Sequence, residues 1–349
     1  MTANEQWCLI ERPEAAVGDR HFEVRNTAIP VPGDNEVLVR NLYLLIAPSM
    51  RLWMNERETY FPPQPLGEVM TGITLGVVES SNVPELQPGD YVNGLGGCQK
   101  WFVANPDSLQ KVQVAADMPL ELYRTVIDVQ GLTAWCGLTE VGKPQKGETL
   151  VVTAAAGSVG SLVCQIGKKI GLNVVGIAGG PDKCEWLRQE CGIENVIDYK
   201  ADDLAAKLDE MAPSGVDLAF ENVGGPVMDL IIDRLNFKGR VILCGLVSSY
   251  NGAGGTQSTE SLMRVVNKAA RIEGFLVSEY MHRYADVATL VEGGIRDGWL
   301  KYRVDVIDGL DNFVDALGKV FRGENKGIQL IRIAPEETGN EYGHSRGAC

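Results

Sequence analysis

Histidine is scarce: the 349 residues contain only His21, His282 and His344, with none between 22 and 281. That gap argues against an imidazole-built metal site in the first third, where Gly67 rather than a histidine precedes Glu68 in "PLGEVMTG". Cysteine pairs are missing too: Cys8, Cys98, Cys136, Cys164, Cys184, Cys191, Cys244 and Cys349 make no C-x-x-C spacing. Several sit in apolar segments such as "SLVCQIG" and "VILCGL", where Cys behaves as a small hydrophobe and reduced thiols fit better than a disulfide framework. No apolar run reaches the ~20 residues that cross a bilayer, and "MTANEQWCLIERPE" is acidic without an apolar signal core. Excess positive charge is also lacking. A net charge of −14 disfavours nucleic acid, whose phosphates need a basic surface. The expectation is a cytoplasmic soluble protein with no metal and no nucleic-acid or membrane partner.

The length suggests two domains. "HFEVRNTAIP", "EVLVRNLYLLI", "GITLGVVESSN", "GDYVNGLGG" and "QKWFVANP" alternate or run apolar between turn residues, so residues 1 to 120 read as predominantly β. "LELYRTVIDVQGLTAWCGLTEVG" changes to helical spacing. From Thr149 short apolar strands ("TLVVTA", "NVVGIAG", "NVIDY", "VDLAFENV", "GRVILCGL") alternate with amphipathic helices. That rhythm predicts βαβ units and a parallel sheet covered on both faces, an α/β fold. After residue 303 the chain reads strand, helix, strand, and the tail "PEETGNEYGHSRGAC" is polar and expected to be loose.

"AAAGSVG" follows the first of these apolar strands. There a helix N-terminus meets a dinucleotide's pyrophosphate in G-x-G-x-x-G proteins. Gly157 and Gly160 fill the second and third glycine slots, and Ala155 fills the first, which needs a tight turn at negative φ. A helix packed closely on a strand would use the same small residues. At the end of the second strand, where an NAD site carries an acid, the chain reads "GIAGGPDK". Gly179 and Gly180 leave room there for a 2′-phosphate and Lys183 adds a positive charge, which favours NADPH over NADH.

A series of segments in order, "APSMRLWMN", "GLTAW", "AAAGSVGSLVCQIGKKIG", "ENVGG", "CGLVSSYN", "RIEGFLV" and "GENKG", covers nearly the whole chain. Together they resemble the zinc-independent branch of the medium-chain dehydrogenase/reductase superfamily, with its prostaglandin and leukotriene reductases, plant alkenal double-bond reductases and bacterial curcumin reductase. The resemblance implies a Rossmann NADPH-binding domain at 124–308 and a β-rich GroES-like catalytic domain split between 1–123 and 309–349. It implies NADPH-dependent reduction of the C=C bond of α,β-unsaturated ketones or aldehydes, with hydride to the β-carbon and a tyrosine hydroxyl stabilising the enolate. It also implies a homodimer through edge-to-edge sheets, with "ARIEGFLV" as the edge strand.

Carried over residue by residue, Ala156, Gly157, Val159 and Gly160 make the phosphate turn, and Gly180, Lys183 and Tyr199 surround the 2′-phosphate. Asn222, Cys244, Ser249 and Asn325 border the cofactor elsewhere. Tyr250 in "SSYN" and Tyr60 in "RETYFPP" are the expected catalytic hydroxyls, with Met50, Arg51, Trp53 and Tyr280 as further pocket residues. Ala47 and Ser49 stand where the family has Asp and Tyr, and Gln329 replaces a lysine. Two other readings stay open: an NADPH-dependent quinone reductase, and a non-catalytic NADPH-binding redox sensor. The glycine-rich loop "VSSYNGAGGTQSTE" is expected to border the nicotinamide and close over substrate.

Overall fold

The computed structural model describes residues 3–57, 59–252 and 259–336. The middle of the glycine-rich loop and nearly all of the polar tail, with His344 and Cys349, lie outside the described residues.

The first segment supplies strands β1 (Asn4–Leu9), β2 (Phe22–Thr27), β3 (Val37–Ile46), β4 (Ile73–Ser81), β5 (Tyr91–Gly94), β6 (Trp101–Ala104) and β7 (Gln110–Val112), with the short helix α1 (Ser49–Trp53). β1 was not legible as a strand, and it pairs antiparallel with β2. Strand β3 begins with alternating burial and ends fully buried. Its far half divides two cores: Tyr43 and Leu45 enter one, Leu44 and Ile46 the other. Both faces are covered there, so the period-2 pattern vanishes from the sequence.

Helix α2 (Val129–Cys136) leads into β8 (Thr149–Val152), α3 (Ser158–Lys169), β9 (Asn173–Ala178), α4 (Pro181–Gln189), β10 (Asn195–Asp198) and α5 (Leu204–Met211). Then come β11 (Val216–Glu221), α6 (Gly225–Asp233), β12 (Leu235–Leu243), α7 (Thr259–Asn267), β13 (Arg271–Gly274) and α8 (Tyr284–Arg296). Among the described residues this sheet is six-stranded, in the order β10-β9-β8-β11-β12-β13, and every pair is parallel. The order reverses between β8 and β11, which opens a crevice beyond the carboxyl ends of those strands. β14 (Val304–Asp308), α9 (Phe313–Arg322) and β15 (Ile328–Arg332) complete the chain. β15 pairs antiparallel with β3 and parallel with β14, so the chain end returns to the first sheet. β14, just ahead of residue 309, lies in this first sheet and not in the parallel one.

Candidate active site

At the end of β8 the backbone turns sharply. The positive φ falls on Ala154 (47°), one residue before the alanine expected to carry the turn. Ala155 is fully buried and donates its N–H to Ile177 O at 2.9 Å. Its methyl fits because Gly176 stands opposite, where an added Cβ would lie 3.1 Å from it. Gly157 caps α3 and donates to Ala154 O at 2.8 Å. A Cβ on Gly160 would lie 2.3 Å from Ala154 O, so only glycine lets the helix start this close to the strand. Ala156 is buried and Val159 packs against the core, leaving the first-turn N–H groups of α3 to face the crevice.

Beyond β9, Gly180 adopts φ 94° and caps α4, with Pro181 as the first helical residue. The ring of Tyr199 lies over Gly179, where a Cβ would come within 2.6 Å of it. The nearest acid, Asp198, is already engaged: its Oδ1 accepts the N–H groups of Gly180 (2.8 Å) and Lys200 (3.0 Å). Half-buried Lys183 donates to Gly323 O at 2.7 Å, linking α4 to the end of α9. Burial, and then the charge of Lys200, lower its pKa. Lys200 is a second cation here that the sequence reading passed over.

The strand ends at the reversal are knotted around Glu221, which is 0% exposed. Its Oε1 accepts from Thr153 Oγ1 (2.8 Å), Val223 N–H (2.6 Å) and Gly224 N–H (2.8 Å). Its main-chain oxygen accepts from Cys244 and Gly245, and Asn222 Nδ2 donates to Thr153 O at 2.7 Å. The other carboxylate oxygen, Oε2, is buried with no hydrogen-bond partner. Burial raises the Glu221 pKa, against four donors, Gly224, Val223, Thr153 and Asn222, that lower it. Cys244 is pushed up to about 12 by burial and by Glu221. Glu221 was missed in the sequence, although an acid ending the apolar strand "VDLAFE" was a signal. Glycines that exclude a Cβ and two lysines fit a phosphate-bearing dinucleotide along this crevice.

Tyr250 sits on a loop docked to the same strand ends. Val247 and Ser248 donate their N–H groups to Asn222 O and Val223 O. The Tyr250 hydroxyl accepts the Leu246 N–H at 3.2 Å, which leaves its own proton free to be donated. Burial raises its pKa, and Tyr60 and Cys244 are near enough to add to that rise. Tyr60, on the loop that follows α1, is 54% exposed. Ser249 Oγ donates to Leu246 O, within the Tyr250 loop. Asn325 Nδ2 donates to Gly327 O at 2.6 Å, which shapes its own turn.

Three expected pocket residues, Met50, Arg51 and Trp53, are buried away from solvent. Met50 and Trp53 are 1% and 3% exposed within the first domain's core, and Trp53 packs on Phe61. Arg51, 2% exposed, spends its guanidinium on Pro13 O, Ala15 O and Asn55 Oδ1. α1 is short, so its apolar side chains are drawn inward. Tyr280 stacks edge-on against Phe275, which meets Phe220 in the same way. The groups that raise its pKa after burial are Glu279, Cys136, Glu140 and Glu273. Among the described residues no three His, Cys, Asp or Glu side chains gather to hold a metal.

Residues 5–112 match a family described as the N-terminal domain of oxidoreductase, and 158–293 match one described as zinc-binding dehydrogenase. The NADPH-dependent curcumin reductase of Escherichia coli (strain K12) is 36% identical over 339 residues, covering 96% of this chain and 98% of that protein. The 2-alkenal reductase (NADP(+)-dependent) of Nicotiana tabacum is 37% identical over 321 residues, 90% of this chain and 93% of that protein. CurA from Vibrio vulnificus, solved in complex with NADPH, superposes with a TM-score of 0.89 at 34% identity, covering 95% of this chain and 100% of that one. The chain belongs to the zinc-independent branch of the medium-chain dehydrogenase/reductase superfamily, with the curcumin and alkenal reductases among its relatives.

Proposed function

We propose that the protein reduces the C=C bond of α,β-unsaturated ketones or aldehydes with NADPH. The observation that carries the reading is the Tyr250 hydroxyl, held by the Leu246 N–H at 3.2 Å on a loop docked to the strand ends where the crevice closes. Full-length similarity to proteins named as NADPH-dependent curcumin reductase and 2-alkenal reductase supports the reaction class. NADPH, when bound, supplies the hydride. The first turn of α3 holds the pyrophosphate, and Lys183, Lys200 and Tyr199 hold the 2′-phosphate. Asn222 and Cys244 border the nicotinamide end, and Asn325 approaches the cofactor from the C-terminal segment.

Tyr250 then has one task. Its raised pKa keeps the hydroxyl protonated at neutral pH, so it donates a hydrogen bond to the substrate's carbonyl oxygen as charge develops there. A preorganised donor of this kind contributes about 3 kcal/mol. Tyr60, on the more exposed side, closes the same pocket and orients the enone.

The two-domain division at residues 123 and 309 belongs to this reading, as do a homodimer and a cytoplasmic setting. β13 is an edge strand of its sheet. Beside it α7 exposes Leu262, Met263 and Val266, an apolar surface suited to a second copy. Among the described residues no helix is long and apolar enough to cross a membrane.

The test is NADPH oxidation by the purified protein against enals, cyclic enones, a diarylheptanoid and a quinone. Enone or enal turnover with reduction at the C=C bond is expected. Brisk quinone reduction with inert enones would overturn the reading.

A further inference from the structure

The connection between β1 and β2 ties three separate segments together. Arg12 donates to Met54 O at 2.8 Å, Asn55 O at 3.2 Å and Gln64 O at 3.0 Å. Those carbonyls stand at the two ends of the loop that carries Tyr60. Arg51 answers from α1: it donates to Pro13 O at 2.7 Å, Ala15 O at 3.2 Å and Asn55 Oδ1 at 2.6 Å. The same strap meets the other domain, because a Cβ on Gly252 would lie 3.3 Å from Glu14 O. Gly252 is two residues beyond Tyr250. One short strap therefore touches both the loop that carries Tyr60 and the loop that carries Tyr250.

The loop end at Gln64 is pinned a second time. Gln64, 2% exposed, donates to Pro65 O and Val69 O and accepts from the N–H and hydroxyl of Thr71. At the other end Trp53 and Phe61 pack at 5.0 Å. Tyr60 has neither device: it is 54% exposed. Its neighbours are tied to each other, Thr59 Oγ1 donating to Phe61 O at 3.2 Å, so its position follows from that turn together with where the loop ends are held.

We infer that Arg12 is a positioning residue, and that the Arg12–Val17 strap sets how far Tyr60 reaches toward Tyr250. This rests on the reading that both hydroxyls face the substrate. Arginine suits the role because its planar fork donates to several carbonyls in fixed directions, which one ammonium group does not reproduce. Small displacements matter here, since a shift of about 1 Å at a reacting group costs on the order of 100-fold in rate.

The experiment compares wild type, Arg12→Met, Arg12→Lys, Tyr60→Phe and the Arg12→Met/Tyr60→Phe double variant, all as full-length protein. Trypsin cleavage after exposed Arg57 reports loop freedom without reference to catalysis. Arg12→Met is expected to be cut about tenfold faster than wild type, with Arg12→Lys between them. Enone kcat/KM should fall severalfold in Arg12→Met, no further than in Tyr60→Phe, while NADPH affinity holds. In the Tyr60→Phe background the same change should cost no more than about twofold, because residues acting through one another are non-additive. Unchanged cleavage at Arg57, or losses that add in the double variant, would overturn the inference. If wild type reduces no enone, the functional reading falls, and the cleavage comparison still decides the strap.

Discussion

On the cofactor side of the cleft the chain is confined by its own backbone. Gly160 has 2.3 Å of room for a Cβ against Ala154 O, Ala155 is fully buried, and Glu221 knots the ends of β8, β11 and β12. On the substrate side, Tyr60 is 54% exposed and its loop is held at the ends by arginine bonds to carbonyls some forty residues away. The difference teaches how each half responds to change. Steric confinement is local and fails abruptly, whereas a loop hung from long-range hydrogen bonds is adjustable and suits a pocket that varies in shape.

Gly160→Val presses hardest on this contrast. The side chain meets backbone that has no room to yield, so NADPH binding should weaken by more than about 100-fold, roughly 3 kcal/mol. Fluorescence titration with NADPH measures it, and wild-type affinity would remove Gly160 from the cradle. Next comes the opposite side. Tyr250→Phe should lower enone kcat by about 10- to 100-fold with unaltered NADPH affinity, and Tyr60→Phe by less. Full activity in both variants would pass the donor role to a water or to the cofactor's ribose.

Lys183→Ala tests whether the cofactor side distinguishes phosphates. NADPH affinity should drop about tenfold, the scale of one charge-assisted hydrogen bond, while NADH affinity stays put. Equal losses for both cofactors would reassign Lys183 to its bond with Gly323.

The smallest effect concerns Glu221. Its pKa is raised in the folded protein by burial, so the folded state holds the proton more tightly than the unfolded chain does. Its stabilising contribution is complete below the ordinary glutamate value and is lost as pH rises through the raised value. Glu221→Gln, which keeps an acceptor without the charge, should therefore gain in Tm relative to wild type as pH rises from about 4 to 8, by about 2 °C. A difference that stays flat across that range would mean that the carboxylate's charge is compensated in the fold.

Much of the cofactor side was legible because its constraints lie between near neighbours in sequence. Gly157, Gly160, Gly179 and Gly180 mark places where a Cβ or an acid would intrude, and each acts within one strand–turn–helix unit. The positive φ moved to Ala154 because the methyl of Ala155 is received by Gly176, on the neighbouring strand. Arg51 and Met50 were misplaced for a related reason. "APSMRLWMN" shows a charged residue in an apolar stretch, but its carbonyl partners, Pro13 and Ala15, lie 38 and 36 positions away. Tyr280, whose helix-start context suggests packing at least as readily as a pocket role, meets Phe275 edge-on.

Composition, period and glycine placement by themselves determined an α/β chain with a parallel sheet and a small-residue turn at the end of its first strand, because these follow from sterics and residue chemistry acting over a few positions. Only the tertiary structure decided that one strap touches the loops of both Tyr60 and Tyr250, that Glu221 is buried with one oxygen unpaired, and that Arg12 and Arg51 fasten the strap. Those facts depend on hydrogen bonds and burial between segments far apart in the chain, which no local pattern encodes.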